Sequence, residues 1–116
     1  MHFKLIIAMV ENADTDAIIA AARDMGATGA TVLSQARGEG VQPAAAFFGM
    51  DVGGQRDVLL LLVEEHLSRR ILETVGRVGE FDTTPGAGIA FQVDVEDAVG
   101  VVEQVRLLQD RVEEEL

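Results

Sequence analysis

Val58-Leu59-Leu60-Leu61-Leu62-Val63 is the segment that most constrains the architecture of this chain, because it is apolar at every position. Successive side chains of a β-strand point to opposite faces of the sheet, so a strand with one solvated face alternates apolar and polar residues. This run does not alternate. It therefore predicts a strand over residues 56–63 with apolar side chains on both faces, each of which has to be covered.

The segments before this strand alternate in type. Phe3 to Val10 is a short, nearly continuous apolar run that predicts a first strand. A helix should follow, capped by Asn12 or Asp14, with apolar positions at helical spacing until Gly26 stops it. Residues 31–36 then predict a second strand, and residues 38–55, which have several glycines and no periodicity, predict a long flexible loop without regular elements.

The segments after the central strand repeat the alternation. An apolar stripe from Leu67 to Val78 predicts a second helix from about Glu64 to Val78. Alternating apolar residues from Ile89 to Val93 predict the last strand, and a closing helix is expected from Val95 through Val112. The order strand, helix, strand, strand, helix, strand predicts an α+β, ferredoxin-like (βαββαβ) antiparallel sheet with an extra carboxyl-terminal helix, as a single domain over residues 1–116.

Helices on one face of such a sheet leave the other face open. Because the strand at Val58 to Val63 has apolar side chains on both faces, we expect sister subunits to cover the open face. The alternative is that the closing helix folds back over it.

Composition excludes several function classes. A formal net charge of −11, nine scattered basic residues and the absence of Trp and Tyr argue against nucleic acid as a partner. Without cysteine there are no disulfides or thiolate metal sites, and a cytoplasmic location fits this best. The longest wholly apolar run is too short to cross a bilayer.

Glycines cluster beside strands in three places. These are Gly26-Ala27-Thr28-Gly29-Ala30-Thr31-Val32, Gly38-Glu39-Gly40 and Gly86-Ala87-Gly88. Glycine allows positive φ and close approach of main-chain amides to a bound group, so these segments can cradle a phosphate or a nucleobase. They can equally be turns that end a helix or begin a strand.

With these motifs the chain resembles the PII signalling protein superfamily, which consists of homotrimeric ferredoxin-like regulators. The resemblance covers roughly residues 2–95 and implies a non-enzymatic regulator that senses a small molecule, such as an adenine nucleotide, in clefts between subunits. It implies the following ligand-binding residues: Gly29, Thr31, Gly38, Gly40 and Gln42, with Gly86 and Gly88 from the neighbouring subunit.

The resemblance also implies that the long loop transmits the binding of the small molecule to a protein target. Residues 41–55 occupy the place of the loop through which family members contact a protein target, such as a transporter or an enzyme. The adjacent aromatic residues Phe47 and Phe48 within it either form a docking tip or pack back onto the body of the protein. The chain has no tyrosine, which excludes the uridylylation of this loop known in part of the family.

The basic residues of the family are missing at the implied site. Ile89 stands where a lysine is usual, Val41 where an arginine is usual, and Asp94-Val95-Glu96-Asp97 replaces a basic stretch. Because a charge-assisted contact to phosphate contributes roughly 1.5 to 3 kcal/mol, ATP should bind weakly. A less charged ligand, such as a nucleoside monophosphate or another small metabolite, is the expected occupant, or the cleft serves mainly as architecture.

Residues suited to catalysis are few. His2 and His66 lack the spacing of a metal motif, so neither a metal site nor a catalytic residue is predicted. Asp94, Glu96 and Asp97 are expected to cap the closing helix, and Arg37 and Arg56 either anchor an anion or pair with carboxylates. Two alternatives remain: a small enzyme of the dimeric α+β-barrel type, and a CutA-like trimeric interaction protein without nucleotide.

Overall fold

The computed structural model describes residues 1–36, 46–47, 50–51 and 56–115. It contains a four-stranded sheet, a two-stranded hairpin and three α-helices. In chain order the elements are β1 (Phe3–Glu11), α1 (Thr15–Asp24), β2 (Thr31–Ala36), β3 (Ala46–Phe47), β4 (Met50–Asp51), β5 (Arg56–Glu64), α2 (Glu65–Val78), β6 (Gly88–Val95) and α3 (Val102–Glu115). Within the described ranges no helix is both long and apolar enough to cross a lipid bilayer.

The main sheet is antiparallel throughout, with the strand order β2-β5-β1-β6. The central pair β1 and β5 places Ile6 opposite Leu61, and β6 places Gln92 on the other side of Ile6. The run Val58 to Val63 therefore lies in an interior strand, with β1 and β2 as neighbours. The α+β, ferredoxin-like prediction is confirmed by this topology.

The two faces of the sheet differ in burial. The face that packs against α1 and α2 is hereafter the helix face. Its apolar residues in the central part of β1 and β5 are each at most 1% exposed; these residues are Ile6, Ala8, Val10, Leu59, Leu61 and Val63. The opposite face, hereafter the open face, is also apolar, and none of its central side chains is fully buried; they are Leu5, Ile7, Met9, Leu33, Val58, Leu60, Leu62, Ile89, Phe91 and Val93. Both faces are therefore apolar, and α1 and α2 cover only one of them.

Gly26 ends α1 as the sequence predicts. Its φ of +116° lies in a region that side chains with a Cβ rarely adopt, and an added Cβ would lie 2.8 Å from Cδ1 of Leu67. This glycine therefore ends the helix and permits close packing of α2, and neither role involves a ligand.

The closing helix begins later than the sequence pattern predicts. It starts at Val102 and not at Val95, because β6 continues to Val95, which pairs with Phe3, and Gly100 follows with a φ of +81°. The expectation that Asp94, Glu96 and Asp97 cap this helix is therefore wrong, since all three precede it by at least five residues and Asp94 lies within β6.

The closing helix leaves much of the open face uncovered. Leu108 and Val112 of α3 join the buried core, and Arg111 donates a hydrogen bond to the carbonyl oxygen of Asp24 at the end of α1. On the open face Leu33 remains 53% exposed and Val93 43% exposed. α3 therefore does not fold back over the whole of this face, as the alternative requires.

The prediction of a loop without regular elements over residues 38–55 is wrong at four positions. Ala46 pairs with Asp51 and Phe47 with Met50, which makes β3 and β4 a short hairpin. Strands of two residues are too short to produce a detectable period in the sequence. The remaining positions of this segment lie outside the described residues.

Candidate functional site

The first candidate site is a cleft of about 490 Å³ beside the beginning of β2, hereafter the β2 cleft. It contains two of the predicted ligand residues, Gly29 and Thr31. Its apolar lining is Leu5, Leu60 and Leu62 from the open face, and its polar lining includes Thr28 and Gln104. Thr31 is fixed here because β2 pairs it with Leu60 of β5.

The β2 cleft has the composition of a small-molecule site. Leucine side chains form one wall, and two threonine hydroxyls and one amide supply hydrogen-bonding groups. In the described part of the chain, the side chains of Thr28, Thr31 and Gln104 make no hydrogen bond. A Cβ added at Gly29 would meet no atom within 4 Å, so packing within the chain does not require glycine there. The cleft can thus accept a flat apolar group that carries polar edges.

Gln104 is the residue of this cleft that sequence reasoning missed. It comes from α3, far along the chain from Thr28 and Thr31. No local pattern around Gln104 indicates a site, because only the packing of α3 brings its amide to β2.

The second candidate site is the loop Gly86-Ala87-Gly88, hereafter the glycine loop, which leads into β6. Gly86 has a φ of +76° and open space where a Cβ would stand. Gly88 is different, because an added Cβ would lie 2.6 Å from the carbonyl oxygen of Met9 and 2.4 Å from Cε1 of Phe81. Close strand packing thus explains Gly88, whereas Gly86 is required by backbone conformation and stays accessible to a ligand.

Arg56 contacts the glycine loop directly. Its Nη2 donates to the carbonyl oxygen of Gly86 at 2.9 Å, and its Nη1 donates to that of Ala87 at 3.3 Å. Nη1 also lies 3.6 Å from Oε1 of Glu11, and the arginine side chain is only 10% exposed. Of the two roles considered for Arg56, pairing with a carboxylate is present, and Arg56 also binds two loop carbonyls that the sequence did not reveal.

Asp57, the next residue, is anchored on the helix face. It is 2% exposed, and its Oδ2 accepts hydrogen bonds from Oγ1 of Thr15 at 2.5 Å and from Nδ2 of Asn12 at 3.2 Å. The carboxylate thereby ties the beginning of β5 to the beginning of α1. Arg56 thus connects the beginning of β5 to the glycine loop, and Asp57 connects it to the beginning of α1.

A larger groove of about 540 Å³ lies between α2 and β6, next to the glycine loop. Gly88 and Ile89 line it, together with Arg69 and Arg77 of α2. Nε of Arg69 is already bound to Oε1 of Glu73 at 2.7 Å. Positive charge beside the glycine loop therefore comes from Arg56 and from α2, and not from position 89.

The predicted ligand residues separate into two groups within one chain. Gly29 and Thr31 lie at the β2 edge of the sheet, and Gly86 and Gly88 lie at the β6 edge. Three interstrand spacings, roughly 14 Å, separate these edges. Gly38, Gly40, Gln42 and Phe48 lie outside the described residues, and of Phe47 only its place in β3 is described.

The two histidines each pair with a carboxylate. The backbone N–H of His66 donates to Oε2 of Glu64 at 2.8 Å, and Nδ1 lies 2.5 Å from Oε1, so that the 1%-exposed Glu64 caps α2. Glu64, Glu65 and His66 bring ligand atoms within 4.8 Å of one another, but both oxygens of Glu64 are engaged by His66. This grouping therefore has the geometry of a helix cap.

Asp94 contacts the side chains of His2 and Lys4 at the beginning of β1. Nε2 of His2 lies 2.6 Å and Nζ of Lys4 3.1 Å from its Oδ1. The hydrogen bond from His2, followed by that from Lys4, holds the pKa of Asp94 below its ordinary value of 3.8. This residue fastens β6 to the beginning of β1 and does not start a helix.

Comparison with solved structures identifies relatives of the same fold. A PII-like signaling protein from Thermus thermophilus is 27% identical, with a TM-score of 0.59 over 82% of this chain and 88% of that chain. CPII from Thiomonas intermedia, bound to ADP, AMP and acetate, is 17% identical, with a TM-score of 0.66 over 86% of this chain and 92% of that chain. The apo form of CPII, a nitrogen regulatory PII-like protein, gives a TM-score of 0.61 at 17% identity over 82% and 90% of the two chains.

Comparison with protein families agrees with these structures. No curated protein matches the chain significantly. The family described as Nitrogen regulatory protein P-II matches residues 3–104, a span that begins with β1 and ends at Gln104 of the β2 cleft. Because this match includes every strand of the main sheet and most of the 116 residues, the chain belongs to the nitrogen regulatory protein P-II family.

Proposed function

We propose that this protein is a non-enzymatic cytoplasmic regulator that assembles as a homotrimer and binds an adenine nucleotide or a related small molecule between its subunits. Occupancy of the clefts is relayed to a protein target, a transporter or an enzyme, through loop 41–55. Membership of the P-II family supports the regulatory role. CPII, whose fold is similar, was crystallised with ADP and AMP, which supports an adenine nucleotide as ligand.

The observation that carries the proposal is the placement of the two glycine-bearing segments at opposite edges of one sheet. The β2 cleft and the glycine loop are too far apart for one ligand of the size of AMP to contact both within a single chain. A second chain packed on the apolar open face can bring its glycine loop to the β2 cleft of the first. A ligand between subunits, with Gly29 and Thr31 on one side and Gly86 and Gly88 on the other, then follows.

The chemistry of the two halves suits different parts of a nucleotide. The β2 cleft offers leucines for a base and the groups of Thr28, Thr31 and Gln104 for its polar edges. The glycine loop is hydrogen-bonded to Arg56, whose positive charge would attract a phosphate group. With Ile89 after the loop, we expect ATP to bind weakly and AMP or ADP to bind at least as well, and a submicromolar Kd for ATP would contradict this expectation.

Calorimetric titration with adenosine, AMP, ADP and ATP tests the ligand directly. Gly86→Val should weaken nucleotide binding and leave the oligomeric mass unchanged, because the added side chain enters the space that a ligand would use. Gly100→Val is the matched control, since Gly100 has a similar φ of +81° and also has no atom within 4 Å of an added Cβ. Both substitutions impose a similar backbone strain of about 1–2 kcal/mol. Equal affinity in the two variants would place the ligand elsewhere.

The titration and the oligomeric mass together separate the alternatives. A trimer that binds no nucleotide would favour the CutA-like interaction protein. A dimer would favour the barrel-type enzyme. The output role of the loop is tested by replacing Phe47 and Phe48 with serine, which should abolish target binding and barely change thermal stability.

A further inference from the structure

The structure assigns a role to Arg56 beyond those considered from the sequence: we propose that Arg56 is a positioning residue that holds the glycine loop in its ligand-binding shape. The inference rests on the proposed function for its ligand, and on contacts within one chain for its geometry. Arg56 begins β5, whereas the loop leads into β6, two strands away with β1 between them.

Only a long side chain can make this connection. Neighbouring strands lie about 4.8 Å apart, so β5 and β6 are separated by roughly 9–10 Å. Arg56 is paired with Glu11 of β1 in the sheet register, and its guanidinium passes this strand to reach Gly86 and Ala87. The Arg56 side chain is only 10% exposed, so it is largely buried along this span and its guanidinium is not surrounded by water.

The two accepting carbonyls define the shape of the loop. In an extended chain, carbonyl groups of consecutive residues point to opposite sides. Here the carbonyl oxygens of Gly86 and Ala87 both lie within 3.3 Å of one guanidinium, so the backbone at Ala87 is not extended, and the positive φ of Gly86 bends the chain immediately before it. Arg56 therefore holds both carbonyls by hydrogen bonds, at a bend that the backbone freedom of Gly86 allows.

The other side of the turn is fixed as well. Across the planar Gly86–Ala87 peptide, the N–H of Ala87 points away from the Gly86 carbonyl. It donates to the carbonyl oxygen of Thr84 at 3.1 Å. Loss of the arginine would free both carbonyls, and the peptide could rotate and break this bond. A loop fixed in advance binds a ligand without the entropic cost of ordering it.

The charge of Arg56 adds to this effect. Nη1 is 3.6 Å from Oε1 of Glu11, but that carboxylate is 53% exposed and water screens it. Position 89, where the resemblance calls for a cation, holds isoleucine. Arg56 thus supplies positive charge next to the backbone that would face a phosphate.

Arg56→Met tests the inference, because methionine retains an apolar stem and removes all donors. Amide hydrogen exchange of Ala87 in the free protein should accelerate by about tenfold or more, because the loop loses two charge-assisted bonds, and that of Leu61, which is distant from the loop, should not change. Affinity for ADP should fall about tenfold to a hundredfold, and affinity for adenosine, which has no phosphate, much less. Arg56→Lys should recover part of the protection of Ala87 from exchange and part of the affinity for ADP. If Arg56→Met does not fold, the same two measurements on Arg56→Lys should show smaller losses.

Arg106→Met is the matched control, because Arg106 is 72% exposed on α3 and its loss changes the net charge equally. It should leave Ala87 exchange and ADP affinity unchanged. Unaltered exchange of Ala87 in Arg56→Met would overturn the inference, as would an equal loss of affinity for ADP and adenosine. If the wild-type protein binds neither ligand, the proposed function fails, and the exchange measurement still decides whether Arg56 fixes the loop.

Discussion

The helix face and the open face of the main sheet are built from the same four strands and are similarly apolar, but they differ in cover. Leu61 on the helix face is 1% exposed, whereas Leu33 and Val93 on the open face are 53% and 43% exposed. Burial of one apolar side chain contributes roughly 1.5 to 3 kcal/mol. The helix face can thus stabilise a single chain, and the open face holds apolar area for association. One strand of this sequence therefore supplies part of a core and, in the assembly that we propose, part of an interface.

Substitution on the helix face should give the largest effect on the free energy of unfolding. Leu61→Ala removes a side chain enclosed on all sides, and such changes cost about 2–5 kcal/mol. Chemical denaturation should register this loss at every protein concentration. Leu60→Ala, one residue away on the open face, is the matched control, and its cost should depend on concentration if association buries it. Equal and concentration-independent losses would remove the distinction between the faces.

The buried Asp57 network should give the next effect. Thr15→Val removes the 2.5 Å hydrogen bond to Oδ2 of Asp57 and preserves the shape of the side chain. We expect a loss of about 1–3 kcal/mol, because a buried charged group loses a donor. Ser34→Ala on the exposed part of β2 is the control. A change no larger than that of the control would show that Asn12 and the remaining contacts of Asp57 suffice.

Gln104 allows a finer distinction at the end of the open face. Gln104→Ala should leave unfolding nearly unchanged, because its side chain makes no hydrogen bond in the described part of the chain. It should reduce discrimination between adenosine and inosine, which differ at the polar edge of the base, by roughly tenfold, as expected for one hydrogen bond. Gln109→Ala, on an exposed position of the same helix, is the control. Calorimetry with both nucleosides measures the ratio, and an unchanged ratio would exclude Gln104 from the site.

Asp94 should give the smallest effect, and it depends on pH. Because His2 and then Lys4 lower its pKa below 3.8 in the folded state, its contribution to stability is present above pH 3.8. That contribution is lost as the pH falls through the lowered pKa. Asp94→Asn should therefore lower stability slightly near neutral pH and flatten the acid side of the stability profile. Profiles that coincide over the whole range would show that the exposed cluster contributes nothing measurable.

Much of the fold follows from local patterns. The continuous run at Val58 to Val63, the alternation from Ile89 to Val93 and the glycine at position 26 each indicate their element without knowledge of the rest. The same kind of pattern misplaces the start of α3, because Val95 and Val99 fit a helical spacing although Val95 pairs with Phe3 in the sheet. Tertiary pairing overrides a local period there.

The candidate site is less accessible to sequence reasoning. Gly29, Gly86 and Gly88 stand out in the sequence because glycine changes what the backbone around it can do, but their role in binding, like that of Thr31, is implied only by the resemblance to the PII family. The contact of Arg56 with the glycine loop depends on strand order, and the approach of Gln104 to Thr31 depends on the packing of α3. Such contacts join residues that are distant in the chain, and no spacing within the sequence encodes them.

Cover of the open face by copies of this chain underlies the whole proposal, and the mass in solution reports on it without any assumption about the ligand. Light scattering at micromolar concentration should give three times the 12.4 kDa chain mass for the wild-type protein. Leu60→Asp, which places a charge on the open face, should give a folded species of one chain mass or a much weaker assembly. A wild-type protein that is monomeric at this concentration would contradict the account.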